Sequence, residues 1–222
     1  YNLDWVWPYW VVKQFTPKDA SFIPRGFAFS HVNLSHRNWT AVGHPDLAAY
    51  PIIDPRGLVT PLYDGWSIDF WLLSETGELL LPSRREEVEQ RLDFSPVLNV
   101  KTISEKDDLL LDTTASVNFD ERRPFLIVEP RAKLKKGRGW LIVSLRPYNP
   151  EGIQFIDHIQ FNRRSNRFLV NKESEVLFEQ SPEKVLFSNY ENGDVAFELG
   201  LSESLLSVEC PIGMATAAAF FK

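Results

Sequence analysis

From about residue 95 onward the chain alternates short apolar-rich runs with clusters of turn residues, and this rhythm is the mark of consecutive antiparallel strands. Strands are expected near 98–103, 109–118, 124–133, 139–147, 153–161, 167–170, 175–179, 184–188 and 194–199. The segments between them have the chemistry of tight reversals: Glu105-Lys-Asp-Asp108, Lys136-Gly-Arg-Gly139, Arg163-Arg-Ser-Asn166 and Glu191-Asn-Gly-Asp194. In Val176 and Phe178, and again in Val195, Phe197 and Leu199, large apolar residues recur at alternate positions, so each strand offers one face to a core. Two such sheets must cover each other, which predicts an all-β chain built as a large antiparallel β-sandwich.

The first 60 residues are of another kind, rich in aromatics, prolines and polar residues with little periodicity. Trp5, Trp7, Tyr9 and Trp10 fall within ten residues, and Ser30 to Asp54 reads as long ordered loops with brief strands. Such loops need a rigid scaffold and carry function disproportionately. Ser67-Ile-Asp-Phe-Trp-Leu-Leu73 reads as a strand, followed by the turn Glu75-Thr-Gly77 and a return run Glu78-Leu-Leu-Leu81. Ser83 to Leu92 is ambiguous, because Glu87 and Arg91 are spaced to pair across a helical turn while Val88, Gln90 and Leu92 alternate as in a strand; context favours the strand.

At 222 residues the chain is long enough to bury roughly 70% of its unfolded surface, so it requires no metal or disulfide to fold as a single domain. No apolar run approaches the roughly 20 residues of a membrane helix, and no signal peptide is recognisable, so a soluble, cytoplasmic protein is expected. A net charge of −6 argues against a nucleic-acid partner. The cluster Arg131, Lys133, Lys135, Lys136 and Arg138 reads as a solvated hairpin end. The lone Cys210 has no internal partner and reads as a buried core thiol. Tyr1 is not methionine, and the sequence finishes in the apolar run Ala215 to Lys222, both expected of a segment cut from a longer polypeptide.

The residues able to carry chemistry are few. Asp64 and Asp69 flank Trp66, and strand alternation puts Asp69 on the same face as Trp71. A carboxylate beside an indole can grip a sugar, the ring C–H groups stacking while hydroxyls donate to the acid; the alternative is that these aromatics belong to the core or to a domain interface. Asp54 and Arg56, within Asp54-Pro-Arg-Gly57, are spaced for a local ion pair that stiffens a loop. His36, Arg37, Asn38 and Trp39 form the densest polar loop and are the first choice for a carbohydrate-binding or interface surface, or else for hydrogen bonds that pin the loop. His31, His36, His44 and His158 lack the spacing of a zinc site, and neither a phosphate-binding glycine loop nor a serine-nucleophile turn is present, so no metal and no cofactor are expected.

At Ser35-His-Arg-Asn-Trp-Thr40, Asp54-Pro-Arg-Gly57 and Leu145-Arg-Pro-Tyr-Asn-Pro-Glu-Gly152 the chain resembles the N-terminal β domain of bacterial proteins related to glycogen-debranching, amylo-α-1,6-glucosidase-like glycoside hydrolases. The resemblance covers most of the chain, and its motifs are not catalytic. It implies a galactose mutarotase-like supersandwich preceding an (α/α) barrel that holds the catalytic acids. On that footing residues 1–222 are a non-catalytic accessory domain. Its expected partners are the downstream catalytic domain of the same polypeptide and an α-glucan or other oligosaccharide. The rival readings are a stand-alone sandwich-fold glycosidase or sugar epimerase using Asp64 or Asp69, and a protein-interaction module whose Trp5, Trp7 and Trp10 cover a neighbour. The His and Glu expected of a true mutarotase find no match here.

Overall fold

The computed structural model describes residues 39–43, 50–85, 87–94, 97–120, 123–150, 152–202 and 205–222. The expected N-terminal loops lie almost wholly outside them, with His36, Arg37, Asn38 and the tryptophans of the first ten residues. The described chain opens on short strands β1 (Thr40–Ala41), β2 (Ile52–Ile53) and β3 (Val59–Thr60), the long strand β4 (Ser67–Ser74), and β5 (Leu79–Leu80). A 3-10 turn at Pro82–Arg84 then leads into a separate meander of β6 (Glu89–Phe94), β7 (Leu98–Lys106), β8 (Leu109–Asp120) and β9 (Arg123–Leu134). The chain returns with β10 (Gly139–Arg146) to pair with β4, and a two-stranded ribbon follows from β11 (Tyr148–Asn149) and β12 (Gly152–Ile153). Next come β13 (His158–Asn162), β14 (Arg167–Val170), β15 (Ser174–Leu177), β16 (Lys184–Ser188), β17 (Ser207–Glu209) and β18 (Thr216–Phe221).

The first sheet has eight strands in the order β1-β2-β3-β4-β10-β18-β16, with β5 added on β4. Two four-stranded sheets accompany it, β6-β7-β8-β9 and β15-β14-β13-β17, and all the strand pairs are antiparallel. The sheets stay open and layered, a β-sandwich with no closed barrel. Sheet β6–β9 lies against β4, and the sheet containing β14 meets the far end of the first sheet through the edge-on contact of Phe168 with Phe187 and the packing of Phe178 on Phe221. One core cluster runs from Ile53 and Phe70 through Leu111 and Val143 to Phe168 and Phe220.

The strands expected after residue 95 fall where the alternation placed them, with three corrections, and the short β11 and β17 are strands it did not mark. The expected strand 153–161 divides into β12 and β13, with Ile156 bridging in parallel to Met214 between them. The expected strand 194–199 is a 3-10 turn at Val195–Phe197, capped by the Asp194 carboxylate accepting from the Ala196 N–H at 3.0 Å. Its three apolar residues do not share a face, since Val195 and Leu199 are buried whereas Phe197 is 61% exposed. Ala215 to Lys222, read as a terminal apolar run, supplies the interior strand β18. Both of its faces are covered, so it shows no alternation. The ambiguous stretch from Ser83 to Leu92 resolves into the 3-10 turn and β6.

Candidate functional site

Strand alternation along β4 sends Ser67, Asp69 and Trp71 to one side of the first sheet. The shared face expected from sequence is present, and on it the Trp71 indole Nε1 donates to Asp69 Oδ2 at 2.7 Å, while the Phe70 N–H donates to Oδ1 at 2.9 Å. Both residues are interior, Trp71 wholly so. On the neighbouring strand Ser144 stands opposite Asp69, and two residues on, Arg146 turns its guanidinium onto Asp194. Nη1 reaches Oδ1 at 2.8 Å and Nη2 reaches Oδ2, a bidentate pair with both side chains sealed from solvent. The guanidinium carbon is 5.2 Å from the Trp71 ring centroid and 5.5 Å from that of Tyr148. Burial opposes the charge on Arg146, but the Asp194 carboxylate outweighs it and holds the guanidinium above its ordinary value. Burial raises Asp69 to about 6, against the indole hydrogen bond and the Arg146 charge. Nothing in the sequence linked Arg146 to Asp194, which are far apart along the chain and meet only through the sheet order.

Asp54 and Arg56 meet differently from the expected ion pair. Asp54 Oδ1 accepts from the backbone N–H groups of Arg56 at 2.8 Å and Leu58 at 2.9 Å, while the Arg56 Nε donates to the Arg85 carbonyl at 3.1 Å. The short side chain of Asp suits this backbone-capping turn, and Gly57 takes the required φ of +89°. Gln90 then ties the turn to the second sheet, donating to the Asp54 carbonyl at 2.9 Å and to Thr102 Oγ1 at 3.2 Å. Asp54 Oδ2 is buried without a hydrogen-bond partner. Desolvation raises this carboxyl to about 7, assisted by the charge of Asp69 and opposed by the two backbone donors.

The exposed candidates gather elsewhere. Trp39 lies just before β1, and Tyr63 and Asp64 lie in the loop between β3 and β4. Tyr50 stacks on Tyr63 with ring centroids 5.1 Å apart and planes 26° apart, and Trp39 is 6.4 Å from Tyr50. The loop is fixed from both sides: the Tyr63 N–H donates to the Tyr50 carbonyl at 3.0 Å, and Asn149 Nδ2 donates to the carbonyls of Tyr63 and Gly65 at 3.3 and 2.9 Å. Trp39 is 39% and Tyr63 42% exposed, with Asp64 at the surface beside them and Trp66 half-buried against the core. Aromatic faces on a rigid loop beside a carboxylate are the elements of a sugar platform. Sequence reasoning named Trp39, Asp64 and Trp66 but missed Tyr50, Tyr63 and Asn149, whose grouping depends on β1 to β3 folding back on one another.

The two carboxylates of the first sheet do not open onto a cleft. A recess between the sheets, lined by Arg56, Asp69, Thr102, Ser104 and Thr113 among others, has about 10 Å³, room for one water. A second, by Leu186, Glu198 and Leu205, has about 50 Å³, against roughly 300 Å³ or more for a small-molecule pocket. The basic hairpin end is solvated and locally paired, Lys135 with Glu105 at 2.8 Å and Arg131 with Glu129 at 3.3 Å. Cys210 is buried. Among the described residues no three His, Cys, Asp or Glu side chains are grouped to hold a metal, and no helix is long and apolar enough to cross a membrane.

No protein-family model matches the chain, and no curated protein matches it. Among solved structures it is similar to a bacterial glucoamylase complexed with acarbose, with a TM-score of 0.55 and 12% identity. The match covers 84% of this chain and 30% of that one, so the chain spans less than a third of the length of the glucoamylase. At this identity the likeness speaks for the fold, and the open, layered antiparallel sandwich described above is thus a fold also found within a glycoside hydrolase.

Proposed function

We propose that residues 1–222 are a non-catalytic accessory domain of a glycoside-hydrolase-like protein, one sandwich that packs on a catalytic (α/α) barrel and offers its exposed aromatic surface to α-glucan. The observation that carries the reading is the asymmetry of the structural match, which takes in 84% of this chain but 30% of a glucoamylase. The chemistry of the interior supports it. Glycoside hydrolysis calls for two carboxyl groups on either side of a bound sugar. Asp54 and Asp69 are instead buried and serve as acceptors within the sheets. Trp39, Tyr63 and Asp64 are the sugar-facing groups of this reading, with Trp66 half-buried beneath them, and His36, Arg37 and Asn38, which precede Trp39 in the sequence, are its further candidates. Arg56, Asp54, Asp69 and Trp71 hold the scaffold beneath.

A shallow platform of this kind gives affinities near the millimolar scale, about −4 kcal/mol. The test is an NMR titration of the chain with linear maltooligosaccharides, following the indole N–H signals, alongside an assay for released glucose. Saturable shifts confined to Trp39 and its neighbours, with no turnover, support the reading. Turnover that disappears in Asp69→Asn or Asp64→Asn overturns it in favour of a stand-alone glycosidase, and the absence of any shift up to tens of millimolar removes the glucan contact.

A further inference from the structure

The face of sheet β6–β9 that looks toward β4 is built in cross-strand rows. Gln90, Thr102 and Thr113 form one, paired in register, and it is the row that receives the Asp54 turn. The next row is apolar throughout, Leu92, Val100, Ala115 and Val128. Beyond it Phe94 pairs with Leu98, and Val117 pairs with Leu126. The interior strands of this face are covered, Val100 at 1%, Ala115 at 3% and Val117 at 7% exposure. At the β6 edge the cover stops, with Leu92 53% and Phe94 71% exposed, while Leu98 and Leu126 remain half-buried against the core. Among the described residues the core-facing side of the sheet therefore runs out past what covers it, and the opposite side of β6 carries Glu89, Arg91 and Asp93. An apolar sheet face is stable only when another element lies on it, and a hydrophobic centre with a charged rim is the anatomy of an interface.

We propose that this overhang, centred on Leu92 and Phe94, is the seat of the catalytic domain, an apolar helix face of the barrel lying along β6. The inference rests on the accessory-domain reading. Its occupant is argued from the glucoamylase match, which takes in 30% of that chain and leaves the larger part of such a polypeptide as the candidate to lie on it. Lying on the same face as the core, the seat makes the domain contact a continuation of the sandwich interior.

The experiment places a thiol at the seat, as Leu92→Cys and separately Phe94→Cys, with Leu177→Cys, at a position 71% exposed on β15, as the reference. Maleimide labelling is followed in residues 1–222 alone and in the natural polypeptide with whatever sequence follows; the native Cys210 is buried and gives the slow background. The expected result is rapid labelling at all three positions in the isolated chain, and slowing by about tenfold or more at the first two in the complete polypeptide, the protection given by about 1.4 kcal/mol of docking. Equal labelling at all three positions in a complete polypeptide that hydrolyses α-glucan overturns the seat and leaves the accessory-domain reading standing. A natural polypeptide with no catalytic domain overturns both. Protection already present in the isolated chain overturns the seat, assigning the face to a second copy if the chain sediments as a dimer and to another part of the same chain if it sediments as a monomer.

Discussion

The Asp54 carboxyl makes stability depend on pH in a direction opposite to that of most acids. Its value is raised from 3.8 to about 7, chiefly by burial, so the folded chain keeps a proton that the unfolded chain has already lost over that interval. Stability is therefore fully present below pH 3.8 and falls as the pH rises toward about 7. At about 1.4 kcal/mol per pH unit, a displacement of about three units amounts to about 4 kcal/mol, a large share of the roughly 5–15 kcal/mol that holds a domain folded. Asp69, raised to about 6, adds to the slope with the same sign. Asp54→Asn isolates the first contribution: the amide oxygen can still accept from Arg56 and Leu58, and the group that replaces Oδ2 carries no charge. Urea unfolding followed by tryptophan fluorescence at pH 5 and pH 8 is the assay. The parent should lose about 3 kcal/mol more than the variant between those two values. Parallel losses in the two proteins would refute the assignment of a buried, proton-holding Asp54.

Breaking the sealed ion pair by Arg146→Met should cost about 3–5 kcal/mol in chemical denaturation, and adding Asp194→Leu should recover most of it, because the cost lies in the stranded carboxylate. Gly139→Ala should cost about 1–3 kcal/mol, since its Cβ would collide with the Leu73 carbonyl across the β4–β10 pair and press on Leu134. Trp39→Ala and Tyr63→Ala should each abolish the response to maltooligosaccharides in the NMR titration, and Tyr63→Ala should do so with less than about 1 kcal/mol of lost stability because the ring is 42% exposed.

The sheet-forming half was legible because its information is local. In β7, β8 and β9 the alternation and the turn residues sit within a few positions of one another, and the structure follows them closely. Asp69 beside Trp71 was legible for the same reason, since two residues along one strand must share a face. Where packing overrides local pattern the reading stopped. Val195, Phe197 and Leu199 alternate like a strand, yet a capping Asp194 already committed to Arg146 turns the segment into a 3-10 turn. Ala217, Ala218 and Ala219 carry no alternation, yet all three are buried on an interior strand paired on both edges. The aromatic surface was half-read: Trp39 and Asp64 stood out by type, whereas Tyr50 and Tyr63 become a pair only through the register of β1 to β3.

The position of β18 sets the order in which this domain can be completed. Its partners β10 and β16 lie on either side of it, and neither has the other to pair with until Thr216 to Phe221 have been made. A ribosome emitting this chain thus carries a sheet with an open apolar slot until residues 216–221 have emerged, and closing that slot is a long-range step, slow and exposed to mispairing. Trimming a few residues from this end would not shorten a loose tail. It would remove the strand that joins β16 to the rest of the sheet, so whatever is attached after Lys222 must leave that strand free to insert.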